Sequence, residues 1–235
     1  LETRIIGERE VDITFRFRRR RSIEIRVERT GSIVVSAPLR TSKKRIEAFI
    51  SEREQWLLDA ISRIEENFII SLPESFENGV EIYWLGDLLK LQIKRDIKSH
   101  VEVDEKYLTI FTPHIKDAKI VEETFYKWFK KEVDRIFAAR LKAVLPDAER
   151  IGIKYEGKIA ARKMKSRYGT CTGDDRIFLN SNLVMVDVAM IDYVIAHELC
   201  HIREKNHSPR YYKLLTQVMP DWKHRRAELH KVVFV

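Results

Sequence analysis

The dominant spacing of apolar residues in this chain changes near residue 115, and that change points to the fold class. Before it they recur at every second position: Val11, Ile13, Phe15 and Phe17, then Ile23, Ile25 and Val27. Period two is the mark of a strand with one buried face. After it, Phe125, Trp128, Phe129, Val133, Ile136, Phe137 and Leu141 recur at steps of three and four, the stripe of a helix. The expectation is an α+β protein. Residues 1–115 form a β-rich N-terminal region, and residues 116–235 a mainly helical domain with a small sheet.

Local signals fill in the elements. Thr30-Gly31 turns the chain into IVVSAP, giving a meander, and Ser42 caps a helix with the stripe Ile46, Phe49, Ile50, Leu57 and Ile61. Strands are expected at VEIYWL, at LLKLQIK after a Gly86-Asp87 turn, at HVEV, and at YLTIFT after Asp104-Glu105. Pro146 is expected to end the helix that starts near Lys116. IGIKY, KIAARKM and RIFLN read as short strands. Three helices follow: Val188 to Ile202 capped by Asp187, one opened by Ser208-Pro209, and one after Pro220-Asp221. No internal repeat stands out, and no Gly/Ser linker marks the boundary.

Composition narrows the class. The 235 residues allow one large domain or two small ones. With 44% apolar residues and only 8 Gly and 6 Pro, disordered and collagen-like chains are excluded. The longest unbroken apolar runs, such as LVMV, hold four residues, so no membrane-spanning helix is expected. Two cysteines, Cys171 and Cys200, fit a reducing compartment, and the N-terminus has no apolar secretory core. A soluble cytoplasmic protein is expected. The net charge of +8 concentrates in FRFRRRRS. Phe15 and Phe17 alternate there with polar residues like a buried strand face, which favours a solvated arginine edge over a nucleic-acid site.

The segment YVIAHELCHIREKNHSPRYY carries the chemistry. His197, Glu198 and His201 form H-E-x-x-H on an expected helix, where positions four apart share a face and can bind one ion. Val188, Ile191, Ile195, Leu199 and Ile202 supply the apolar face opposite. Glu198 differs in direction, so it can reach a water without occupying the metal. Catalytic zinc takes three protein ligands, and His207 is the best third, six residues past His201 and just before a helix start. Glu228 is the competitor, with His224 and His230 weaker. Cys200 reads as packing. One Zn²⁺ per chain is expected.

The run MKSRYGTCTGDDRIFLNSNLVMVDVAMIDYVIAHELCHIREKNHSPRYYKLL resembles the YgjP-type (DUF45) family of predicted metal-dependent hydrolases, placed with the SprT/WLM-like zinc peptidases. The family pattern is matched by Lys165, Ser166, Arg167, Gly169, Cys171, Leu179, Asn180, Asp192 to Val194, His197 to Leu199, His201 and Asn206 to Ser208. Tyr168 stands where the family has tryptophan and Thr170 where it has serine. The likeness implies a zincin-like catalytic domain and a peptide or protein substrate. A metzincin is disfavoured, because Glu204 occupies the position of that group's turn glycine.

Three neutral imidazoles on zinc bring a bound water towards a pKa of about 7, and Glu198 would take its proton as general base. Arg167 and Tyr168 are expected at the cleft as substrate-binding residues. Tyr211, Tyr212 and Arg167 are candidates to stabilise an oxyanion, although core packing is the simpler role for the tyrosines. RIFLN or the strand before it is expected to take a peptide by strand addition. Two alternatives stay open. One is metal-dependent hydrolysis of a nucleotide phosphoanhydride, for which no Gly-rich phosphate loop is present. The other is a DNA-associated protease or nucleic-acid-binding module, suggested by the charge and the SprT likeness.

Overall fold

Alternating apolar residues build two four-stranded sheets, one in each of two compact units. The computed structural model describes residues 2–28, 31–65 and 68–235. One unit comprises Leu1–Ile69 with His230–Val233, the other Ile70–Leu229 with Phe234–Val235.

In the first unit β1 (Glu2–Ile6), β2 (Arg9–Arg18), β3 (Glu24–Val27) and β4 (Ile33–Pro38) take the order β1-β2-β4-β3. β2 and β4 run parallel, with Ile13 opposite Ile33 and Phe15 opposite Val35. The expected meander is therefore corrected: a parallel pair needs a crossover rather than a tight turn, and the segment holding β3 supplies it. Thr30 lies outside the described residues, and Gly31 has φ of 83°. Ser42 caps α1 (Lys43–Ser51), which is separate from α2 (Glu54–Glu65), so the single expected helix is two. Ile46, Ile50, Leu57 and Ile61 cover the sheet. Phe15 packs at the rim of that core, and Phe17 is left 49% exposed rather than buried. Strand β5 (Phe68–Ile70) follows.

The second unit repeats the pattern. β6 (Glu81–Trp84), β7 (Asp87–Arg95), β8 (His100–Val103) and β9 (Tyr107–Thr112) take the order β6-β7-β9-β8, again with the middle pair parallel. The sequences echo one another once the strands are aligned. Pro38 precedes the cap Ser42 by four residues, as Pro113 precedes the cap Asp117, and Ile46-Glu47 and Val121-Glu122 follow at matching offsets. The chain thus holds an internal repeat, which sequence inspection missed. The β6–β7 turn is Leu85-Gly86, one residue earlier than expected, with φ of 51° and 96°. Such a turn needs positive φ at both positions, and a Cβ on Gly86 would meet the Asp187 backbone at 3.1 Å.

Helix α3 (Ala118–Glu149) runs through Pro146 instead of stopping there. Val144 and Ala148, one turn apart, are both buried, so packing carries the last turn past one missing N–H donor. Gly152 (φ 81°) then reverses the chain and Ile153 N–H donates to the Ala148 carbonyl at 3.0 Å. IGIKY is consequently a helix exit and no strand. A three-stranded sheet follows, ordered β10 (Ala160–Arg162), β12 (Ile177–Asn180), β11 (Gly169–Cys171) in space. Helices α4 (Val188–Arg203), α5 (Pro209–Val218) and α6 (Trp222–His230) and strand β13 (Val232–Phe234) complete the chain. No helix among the described residues is long and apolar enough to cross a membrane.

Helix α4 is more deeply enclosed than a single stripe implies. From Ile191 to Cys200 every residue is buried except His197. One of them is Asp192, held by Arg140 of α3 through two bonds of 2.7 Å, with Arg225 of α6 at 3.8 Å. The pair lifts the Arg140 pKa, chiefly through that hydrogen bonding. Asp192→Ala should lower stability by about 2–4 kcal/mol by leaving Arg140 unpaired and partly buried. A drop in denaturant midpoint at constant m-value is the readout.

Candidate metal centre

Helix α4 presents His197 and His201 on one face, and the loop after it turns His207 back towards them. The ligand atoms of the three lie within 4.8 Å of one another, the only such group of potential metal ligands among the described residues. His197 Nε2 is 3.2 Å from His201 Nε2 and 3.1 Å from His207 Nε2. Tetrahedral zinc with bonds of about 2.0–2.1 Å to nitrogen spaces its donors about 3.3–3.4 Å apart, so the set fits such an ion.

Tautomers support that fit. His201 Nδ1 lies 3.0 Å from the Glu204 carbonyl, and an N–H there leaves Nε2 with its lone pair. His197 Nε2 can carry only one proton, so it cannot donate to both neighbours. A shared cation satisfies all three atoms. Burial, then the two neighbouring histidines and Arg226, push His197 down to about 3. His201 is also lowered, mainly by burial. Both stay neutral at ordinary pH, which is the state a metal needs. Because the unfolded chain protonates first, the His197 shift costs stability as pH falls from about 6.5 towards 3.

Tyr211 braces the cluster. It is fully buried, its ring stacks on His201 at 4.6 Å, and its hydroxyl donates to the His197 carbonyl at 3.1 Å. That hydroxyl is committed to the helix backbone and is not available to a substrate. Tyr212 is half-buried, stacked on Trp222, with its ring 6.2 Å from His207. Glu228, His224 and His230 stand outside the cluster.

Glu198 is 4% exposed, and burial raises its pKa to about 8 against the Cys171 N–H and Arg167, which both lower it. This shift favours the folded state at low pH and is lost as pH rises from about 4.5 to 8. Its carboxylate occupies the space a side chain at Gly169 would fill: a Cβ there would meet Glu198 Oε1 at 2.7 Å. Nothing in the sequence alone marked that dependence.

The small sheet brings its edge to this carboxylate. β12, the strand of RIFLN, is paired on both sides and has no free edge; the edges of this sheet are β10, from KIAARKM, and β11, a strand the sequence reading did not expect. Asn180 N–H donates to the Tyr168 carbonyl and Thr172 N–H to the Arg176 carbonyl. By alternation Tyr168, Thr170 and Thr172 face β12, while Gly169 and Cys171 turn their backbone groups outward. Cys171 N–H goes to Glu198, leaving Gly169 N–H and C=O and Cys171 C=O on the outer edge. Arg167 is exposed. Tyr168 is half-buried, packs edge-on against Phe234, and donates its hydroxyl to the Leu229 carbonyl at 3.0 Å.

Lys205, which carried no signal in sequence, fastens the loop holding His207. Its ammonium reaches Asp175 at 2.5 Å and the Thr172 carbonyl at 3.3 Å, both in the turn after β11. Ser208 then caps α5 through the Tyr211 N–H.

An α+β unit with three converging imidazoles and a buried carboxylate beside them defines a metal-dependent hydrolase class. The YgjP-like metallopeptidase domain matches residues 21–232, and the chain belongs to that family. A search of curated proteins gave no match.

Lys205→Ala should weaken zinc affinity by about 10-fold, the lower end of what outer support of a ligand contributes. Competition against a chromogenic chelator measures it. Unchanged affinity would show that the His207 loop holds its place without this clamp.

Proposed function

We propose that the protein is a zinc-dependent metallopeptidase. In this reading His197, His201 and His207 hold one zinc ion and Glu198 is the general base. The chemistry resides in residues 116–235 as a zincin-like domain, and the described residues of 1–115 supply no ligand. The observation that carries the proposal is the convergence of the His201 and His207 Nε2 atoms on His197 Nε2, at 3.2 and 3.1 Å, beside a carboxylate enclosed by β11 and α4.

When bound, the ion supplies Lewis acidity and lowers the pKa of a water to about 7. Glu198 would serve as the proton acceptor for the attacking water and pass that proton to the leaving amine. A cation held by the three histidines would favour the ionised form of Glu198, opposing the rise that burial causes. Gly169 and the Cys171 carbonyl dock the peptide backbone as an added strand and hold the scissile bond over the histidines. Tyr212 and Arg167, unlike Tyr211, stay reachable as oxyanion donors. Cys171 and Cys200 are both thiols, in keeping with a cytoplasmic setting.

Metal analysis of purified variants, with assay on a quenched peptide mixture, tests this. His201→Ala should lose the zinc. Glu198→Gln should keep zinc and melting temperature while turnover falls by about 10²-fold or more. Full zinc occupancy in the first variant, or an active second one, would falsify the proposal.

Gly169→Ala should also keep zinc yet cut turnover by about 10-fold or more, because its methyl displaces the Glu198 carboxylate. A fully active Gly169→Ala enzyme would mean that the carboxylate has another seat.

A further inference from the structure

Charge around the histidines is uneven. Asp192 is held by Arg140 and Arg225, Asp221 by Arg225, and Asp175 by Lys205. Arg167 and Arg226, by contrast, form no ion pair among the described residues.

The two arginines belong to one wall. Arg226 follows Trp222 by four residues on α6, so both lie on the same helix face. Trp222 stacks on Tyr212 at 5.2 Å, and Tyr212 lies 6.2 Å from His207. That face of α6 is thus turned towards the centre. Glu228, two residues on, is rotated about 200° around the helix and cannot neutralise Arg226 from its own side. Arg167 precedes Tyr168, whose hydroxyl is fastened to Leu229, about one turn beyond Arg226. Arg167 also stands two residues before Gly169, where a Cβ would meet Glu198 Oε1 at 2.7 Å, so this wall borders the buried carboxylate.

We propose that Arg167 and Arg226 form an anion-recognising rim beside the three histidines, selecting substrates that present a carboxylate close to the scissile bond. The inference rests on the metallopeptidase reading and adds the substrate's charge. The carboxylate can come from an acidic side chain or from the substrate's own C-terminus. Arg226 is half-buried, where a guanidinium binds an oxyanion more strongly than it would in open water.

The test measures binding, so it does not depend on knowing the cleavage site. Four dipeptides with an N-terminal hydroxamate headgroup are titrated calorimetrically into the zinc-loaded protein. They carry Glu with a C-terminal amide, Gln with an amide, Gln with a free carboxylate, and Lys with an amide. At least one anionic compound should bind about fivefold or more tightly than the neutral Gln amide, with Lys weakest. The gap should narrow between about 0.05 and 0.3 M salt. Which anionic compound gains identifies the carboxylate's source. Arg226→Gln and Arg167→Gln should each reduce the gap at unchanged zinc content, and Arg226→Lys should retain part of it. Anionic and neutral compounds binding within twofold would overturn the rim while leaving the metallopeptidase reading intact, as would a preference unchanged in both Gln variants. If none of the four binds a fully zinc-loaded protein, the reading of the centre fails and the inference fails with it.

Discussion

The enclosure of α4 is the constraint on which the rest depends. A helix buried from Ile191 to Cys200 leaves one azimuth open, and His197 occupies it. Packing alone would let such a helix rotate or slide, since apolar contacts are not directional. The two-pronged grip of Arg140 on Asp192 is directional, and it lies five residues before His197. Tyr211 adds a second restraint from the other end by bonding the His197 carbonyl. The imidazoles are therefore aimed by groups that lie outside the three-histidine cluster. Outer contacts of this kind decide whether three nitrogens meet at one point or miss it.

Around that helix, two loops converge for different reasons. The turn after β11 receives Lys205 and so anchors the loop with His207, while the outward Cys171 N–H of the same strand holds Glu198. One short strand thus touches Glu198, the third histidine's loop and the site proposed for the peptide. Gly169 has no side chain because its place is taken by Glu198. Strand and carboxylate are fitted to one another, so a glycine with no reactive group sets where the carboxylate sits.

Much of this was legible in the chain. H-E-x-x-H, its caps Asp187 and Ser208, and the third histidine rest on local rules of periodicity and capping, and the helices came where those rules put them. What escaped was non-local. Whether β2 pairs with β3 or β4 depends on which partner completes the core, and alternation reads the same either way. Pro146 was read by its local cost, whereas buried Val144 and Ala148 carry the helix through it. IGIKY has the composition of a strand, but Gly152 and Ile153 close a helix instead. β11 is three residues long and has no apolar pattern, so only its partner β12 reveals it. Lys205 and Gly169 work through neighbours distant in sequence.

The repeated sheet order has a consequence for how the chain reaches this state. Within each copy the parallel pair closes a short span, Ile13 meeting Ile33 in one and Leu91 meeting Leu108 in the other. Each sheet can form as soon as its own four strands have left the ribosome, without waiting for the C-terminus. The Arg140–Asp192 contact must instead bridge 52 residues, so α4 is seated only after most of the chain exists. Assembly of the three-histidine cluster is then a late event, and a metal ion would find three aligned nitrogens only once that last seating is done.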